Sequence, residues 1–272
     1  MARIPLLNSR EADAARAAAG CVVETHRRLA GFVKAGQTLA QIDTFVADTL
    51  EDLKCRSCFL GYRIPRTPPF PSHACLSVND CVVHGTAGYT LKPLEPGDLI
   101  SIDIGVWHQG WVGDAAWTYA IEHQTEEAAA LMDAGERSIA EGVKELKPGA
   151  PLMNWAKAVH RVVEEEAGLH LTRGLGGHGF GRSLHGPPFV SNLPLGPLEW
   201  PDGRTRCEPG MLVAVEPMLA TGTGRTDGKD REWPVFTADG SLSVHYEHDV
   251  LITSDGPEVL TAGLHELPHT VG

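Results

Sequence analysis

The segment Leu94-Glu-Pro-Gly-Asp-Leu-Ile-Ser-Ile-Asp103 returns 113 residues later as Cys207-Glu-Pro-Gly-Met-Leu-Val-Ala-Val-Glu216, with Asp103 falling on Glu216. Lys34-Ala-Gly-Gln-Thr-Leu39 and Lys147-Pro-Gly-Ala-Pro-Leu152 stand at the same offset. Two Pro-Gly turns can resemble each other by chance. Two independent pairs at one offset point instead to a duplicated chain. Such a chain must fold each half alike and bring equivalent faces together. The reading is therefore one domain over residues 1–272, made of a short N-terminal extension and two halves at about 9–121 and 122–254.

Each half reads as two helices followed by strands. An Ala-rich helix over 9–33 has Ser9 as its expected N-cap, and Thr38 with Gln41 forms a capping box for a helix to about Lys54. Thr125 before Glu126 and Glu127 opens a third helix to about Leu146. Pro151 suits the first turn of a fourth, to about Ala167. Strands are expected near 74–79, 98–107, 111–121, 169–174, 179–184, 211–219, 233–237 and 241–253, with Asp239-Gly240 as a hairpin turn between the last two. The Pro- and Gly-rich stretch 186–210 reads as a surface loop. The expected fold is α+β, with one curved, mainly antiparallel sheet whose outer face is covered by helices.

Five side chains carry the chemistry: Asp103, Asp114, His178, Glu216 and Glu247. They lie in LISIDIGV, GWVGDAAW, GGHGFGRSLHG, LVAVEPML and SVHYEHDV, and four of the five contexts are strongly β-prone. A carboxylate at the end of such a run is expensive, because burying an unpaired charge costs several kcal/mol. One could be a paired core acid. Four, with an imidazole, are better explained by shared cations. Mixed oxygen and imidazole donors suit Mn, Fe, Co or Zn, and two such ions sharing carboxylates form a known hydrolytic arrangement. His245 alternates onto the face of Glu247 and reads as a partner to the ligand set or as filler. His73, His108, His160 and His248 receive no role, and Asp98 and Asp249 read as surface charges.

Composition narrows the classes. With 272 residues, 42 % hydrophobic and 21 % charged, the chain suits an ordinary globular protein. A net charge of −12 and the lack of a basic run argue against nucleic acid as a partner. No apolar run approaches the roughly 18 residues needed to span a bilayer, and the N-terminus turns polar too soon for a secretion signal. Of six scattered cysteines only Cys55-x-x-Cys58 has ligand-like spacing, and no second pair completes a zinc set, so the thiols read as structural. The expected compartment is the reducing cytoplasm.

With these residues in place, the chain resembles the methionine aminopeptidases of the short bacterial type (type I), within the pita-bread metallopeptidase family. The landmarks are Cys75-Leu-Ser-Val-Asn79 with Val83-His84-Gly85, Ile102-Asp103, Gly113-Asp114, Gly177-His178-Gly179-Phe-Gly181 with His185, Val215-Glu216-Pro217 and Tyr246-Glu247-His248. Their order and spacing, over about residues 10–254, are specific together although each alone is weak. The resemblance implies a duplicated α/β fold and two divalent ions (Co, Mn, Fe or Zn). Asp103 would hold one ion, Asp114 and Glu247 would bridge both, and His178 and Glu216 would complete the other site. A hydroxide activated by the metals would attack the first peptide carbonyl. Glu216 would move its proton, and His84 and His185 would contact the scissile amide and carbonyl. A pocket for the methionine side chain would draw on Tyr62, Phe70, Cys75, Leu184 and Trp233. The implied partners are N-termini of nascent polypeptides, at the ribosome, cut where the second residue is small, by a monomer that binds neither nucleic acid nor membrane.

Three features depart from the family pattern. The 62–74 loop is long and proline-rich, His185 is followed by Gly186-Pro-Pro rather than an acidic residue, and 190–206 is extended. They concern the rim of the cleft and leave the ligand set intact. Two other readings compete. One is an X-Pro aminopeptidase or dipeptidase, whose relatives usually carry a large N-terminal domain. The other is a non-catalytic binding module on the same fold, against which the complete ligand set speaks.

Overall fold

Three of the four α-helices among the described residues begin where a side chain satisfies a free N–H group, and the fourth, α4, has no side-chain cap. The computed structural model describes residues 4–272. Helix α1 spans Ser9–Ala30, capped by Asn8 rather than Ser9: the Asn8 side chain accepts from Glu11 N–H, and the Glu11 carboxylate accepts from Asn8 N–H. It stops at Gly31, short of the expected residue 33. Helix α2, Leu39–Asp52, carries the expected Thr38/Gln41 box. Helix α3, Glu126–Val143, starts at Thr125, with two acids in a first turn that favours negative charge. Helix α4 spans Met153–His160 and continues with π-type turns over Arg161–Glu166. Pro151 lies just before it, bridged to Arg206.

The strands form two main sheets and two small ones, and all pairings are antiparallel except that of Thr270–Val271 with 120–121. In the first main sheet a long hairpin, Leu99–His108 with Trp111–Ile121, is flanked by Cys75–Val78 and Arg56–Ser57. In the second, Leu212–Val215 is central, between His248–Ile252 and Gly176–Gly179, with Gly186–Ser191 beyond the latter. Glycines let helices approach these sheets. A Cβ on Gly113 would sit 2.6 Å from the backbone of Ala18 on α1, and one on Gly135 of α3 would sit 2.5 Å from the Tyr246 ring. Since neighbours in a strand face opposite ways, Gly113 turns to the helix and Asp114 to the other face. Tyr246 also packs edge-on against Trp117, ring centroids 4.8 Å apart, immediately before Glu247.

Several local expectations fail. Residues 179–184 are not a strand; pairing occurs at Gly176–Gly179. The 186–210 stretch is not a loop throughout, since Gly186–Ser191 pairs with 176–179 and Val190, Leu193 and Trp200 are buried. Asp239-Gly240 does not close a hairpin. Val235–Thr237 pairs with Thr226–Gly228 and Cys81–Val83, whereas Ser243–His245 pairs with Met218–Ala220.

Candidate metal centre

Strand register brings the five side chains to one cleft. Asp103 pairs with Cys75 on one side and Ala116 on the other, and Asp114 pairs with Gly105, so Cys75, Asp103 and Asp114 share a face. In the second sheet His178 pairs with Ala214, two residues before Glu216, which puts both on one face. Glu247 precedes the 248–252 strand, and its N–H donates to Ala116 O at 2.8 Å, tying it to the first sheet. Around one narrow cavity of about 80 Å³ the structure gathers all five, together with His84, His185, His245, Tyr62, Phe70, Cys75, Leu184 and Trp233. Every residue singled out from sequence is present. A larger groove of about 620 Å³ opens beside His185, along Ile4–Leu7, Trp111 and Arg182, and contains none of the five.

His178 Nε2 lies 3.7 Å from Asp114 Oδ2 and 3.8 Å from Glu216 Oε1. His178 Nδ1 faces Gly179 O at 3.2 Å and must donate to it, which leaves the Nε2 lone pair pointing at two carboxylates. Burial pushes the His178 pKa down to about 3, so the ring does not take up a second proton to offset that opposition. The donor atoms of Asp114, His178 and Glu247 lie within 4.8 Å of one another, and so do those of Glu216, His245 and Glu247. Asp103 lies outside both triplets but lines the same cavity, and its Oδ1, like Asp114 Oδ1, is buried without a hydrogen-bond partner. Burial, reinforced by the neighbouring acids, raises the Asp114 and Glu247 carboxyls well above their usual range; burial alone does so for Glu216. Asp103 is pushed up to about 7 by burial, although the nearby His245 pulls it down. Crowded acceptors facing an unprotonated imidazole, with oxygens left orphaned, fit divalent cations.

Two neighbours add to what the sequence indicated. His245 Nε2 approaches Glu216 Oε2 at 3.2 Å, so it belongs to the donor cluster. Asp249, expected on the surface, is fully buried, and its Oδ2 accepts from Asp114 N–H at 3.0 Å. Its position two residues after Glu247 was the available signal.

At the mouth, Tyr62 Oη and His185 Nδ1 are 2.7 Å apart. His84 adopts φ 59, a left-handed conformation uncommon outside glycine, and its ring meets Trp233 edge-on at 6.1 Å. Gly85 follows because a Cβ there would lie 2.1 Å from Leu76 O. Burial, with His245 and His185 nearby, lowers the His84 pKa to about 4, and burial lowers that of His185. Phe70 packs edge-on to Trp233 at 5.2 Å, and the Trp233 indole N–H donates to Pro68 O at 2.8 Å, so the proline-rich loop forms one wall.

This fold, with a donor-lined cleft at the meeting of two sheets, is that of a metallopeptidase. The chain belongs to metallopeptidase family M24, which it matches over residues 12–254. Within that family it is 35 % identical to methionine aminopeptidase 1 of Mycobacterium tuberculosis, over 96 % of both chains. It superposes on the crystal structure of methionine aminopeptidase from Thermotoga maritima with a TM-score of 0.87 at 30 % identity, covering 95 % of this chain and 99 % of that one. The prolidase of Pyrococcus furiosus shares the fold at a TM-score of 0.71 and 18 % identity; this chain covers 65 % of it.

Proposed function

We propose that the chain removes the N-terminal methionine from polypeptides by metal-dependent hydrolysis of the first peptide bond. The observation that carries this reading is His178 Nε2 facing Asp114 and Glu216 across 3.7 and 3.8 Å while Nδ1 is turned to Gly179 O. Asp103, Asp114, His178, Glu216 and Glu247 would hold the ions, two of them, of the Co, Mn, Fe or Zn kind. When bound, such ions polarise the scissile carbonyl and lower the pKa of a water that attacks it.

The chain's own side chains supply the rest. Glu216 accepts the proton of the attacking water and returns it to the leaving amine. A neutral His185 has one N–H. With Tyr62 Oη donating to Nδ1, that proton sits on Nε2, free to stabilise the oxyanion. Burial raises the Tyr62 pKa, which keeps its phenol a donor. His84, held neutral, hydrogen-bonds the scissile amide. Phe70, Cys75, Leu184 and Trp233 give the methionine side chain soft and aromatic contacts suited to a thioether. The narrow cavity favours substrates with a small second residue. Nascent chains at the ribosome, met in the cytoplasm by a monomeric enzyme, are the substrates this reading expects. No helix among the described residues is long and apolar enough to cross a membrane.

The test is release of methionine from Met-Ala-Ser by purified protein supplied with Mn or Co. No release with any divalent ion rejects the reading. Preference for Ala-Pro over Met-Ala substrates would favour the X-Pro alternative, and failure to acquire any ion on titration would favour a binding module.

A further inference from the structure

We propose that Cys21, Cys55 and His108 form a second metal site, on the helix-facing side of the first sheet, that takes one zinc ion. The three come from separate segments: Cys21 from α1, Cys55 from the link after α2, and His108 from the end of the 99–108 strand. Register explains the meeting. Arg56 pairs with Trp107 and Ser57 with Val106, so the next position sets Cys55 opposite His108. Side chains 104, 106 and 108 face away from Asp103 and towards the helix layer, where Cys21 sits. The other half of the Cys55-x-x-Cys58 motif takes no part. Cys58 N–H donates to Gly105 O at 2.9 Å, and its side chain packs with Phe59 and Cys75 on the cleft side.

The geometry suits the ion. Tetrahedral zinc, with Zn–S of about 2.3 Å and Zn–N of about 2.0 Å, holds such ligand atoms about 3.5–3.8 Å apart. Cys55 Sγ and His108 Nδ1 are 3.4 Å apart, and all three donor atoms lie within 4.8 Å of one another. One face of a tetrahedron is thus formed, with the fourth position left to water. Cys55 also lines an open groove of about 730 Å³ with Glu51, Arg56 and His73, which gives an ion access. Zinc displaces both thiol protons to solvent, so two thiolates balance one divalent charge and the loaded site is neutral. Hydrogen bonding between the two thiols lowers the Cys21 pKa and, together with burial, raises that of Cys55, so it is the metal that must displace the Cys55 proton. Without zinc, Leu53 O at 3.5 Å offers the Cys55 thiol a resting partner.

Cobalt tests this independently of the peptidase reading, because the carboxylate cleft contains no assigned thiolate ligand. Metal-free full-length protein titrated with cobalt until all sites are filled should develop a thiolate-to-cobalt charge-transfer band whose full amplitude corresponds to one cobalt ion per chain. The band should vanish in Cys21→Ser and in His108→Ala and survive in Cys75→Ala. Zinc content should fall by one equivalent in Cys21→Ser, with methionine release unchanged. Absence of the band in the wild-type protein overturns the proposal, whatever the variants do. So does a band lost only in Cys75→Ala, or a Cys21–Cys55 disulfide that forms in air despite saturating zinc.

Discussion

Replacing Tyr62 by Phe removes one oxygen and isolates the proton placement on which the oxyanion argument depends. The phenol and His185 Nδ1 are 2.7 Å apart, a short contact for a neutral pair. Without it, neutral His185 divides between two tautomers, and only one presents Nε2–H to the substrate. A net hydrogen-bond value of about 0.5–1.5 kcal/mol corresponds to roughly a 2- to 10-fold fall in kcat. KM should move by less than about 2-fold, because the ring keeps its place 6.5 Å from Trp233. The ceiling is set by His185→Ala, which deletes the donor and should cost about 10²–10³ in kcat. The decisive measurement is a double-mutant cycle on Met-Ala-Ser at fixed metal content. In the His185→Ala background, Tyr62→Phe should cost nothing more. Additive losses, or an unchanged kcat in Tyr62→Phe alone, would show that the phenol does not act through this imidazole.

Other perturbations read out different layers. Asp114→Ala should lose bound metal and turnover together, whereas His84→Ala should keep its metal and lose about 10² or more in kcat; metal analysis beside kinetics separates them, and equal metal loss in both would contradict the assignment. Gly177→Ala would bring a Cβ within 2.2 Å of Ala214 O, between the strands that carry His178 and lead to Glu216; a loss of about 2–3 kcal/mol, roughly 5–10 °C in Tm, is expected, and an unaltered melting curve counts against the close approach. His26, fully buried between Tyr119 Oη and Ala115 O, has its pKa lowered by burial to about 4. The unfolded chain binds that proton below about pH 6.5, so the contribution of neutral His26 is complete above 6.5 and is lost as pH falls towards 4. Urea unfolding in EDTA should show that His26→Gln loses roughly 2–3 kcal/mol less than wild type between pH 7 and 4.5; parallel losses would remove His26 from the account.

Local chemistry made some elements legible and tertiary contacts hid others. The Thr38/Gln41 box and the Thr125 cap announce their helices because cap and partner lie three residues apart. The five donors stand out because a carboxylate ending an apolar run is costly to bury unless a cation meets it. Asp249 sits beside them and reads as a surface acid, since nothing local shows that its partner is the N–H of Asp114, 135 residues away. The 186–191 strand is hidden by Pro187 and Pro188, which an outer strand of the sheet tolerates. Asp239-Gly240 has hairpin chemistry, yet the flanking strands join different sheets. Cys55 looks like the partner of Cys58 in sequence, whereas register gives it His108 and helix packing gives it Cys21.

The left-handed backbone at His84 limits how that position can change. Most replacements would forfeit the imidazole and also strain the main chain beside the cleft, so their activity losses would mix two causes. Glycine and asparagine tolerate the conformation. A saturation library at this codon should therefore be enriched in those two among well-folded members, whatever chemistry they provide, and the asparagine variant is the cleaner probe of what the ring contributes.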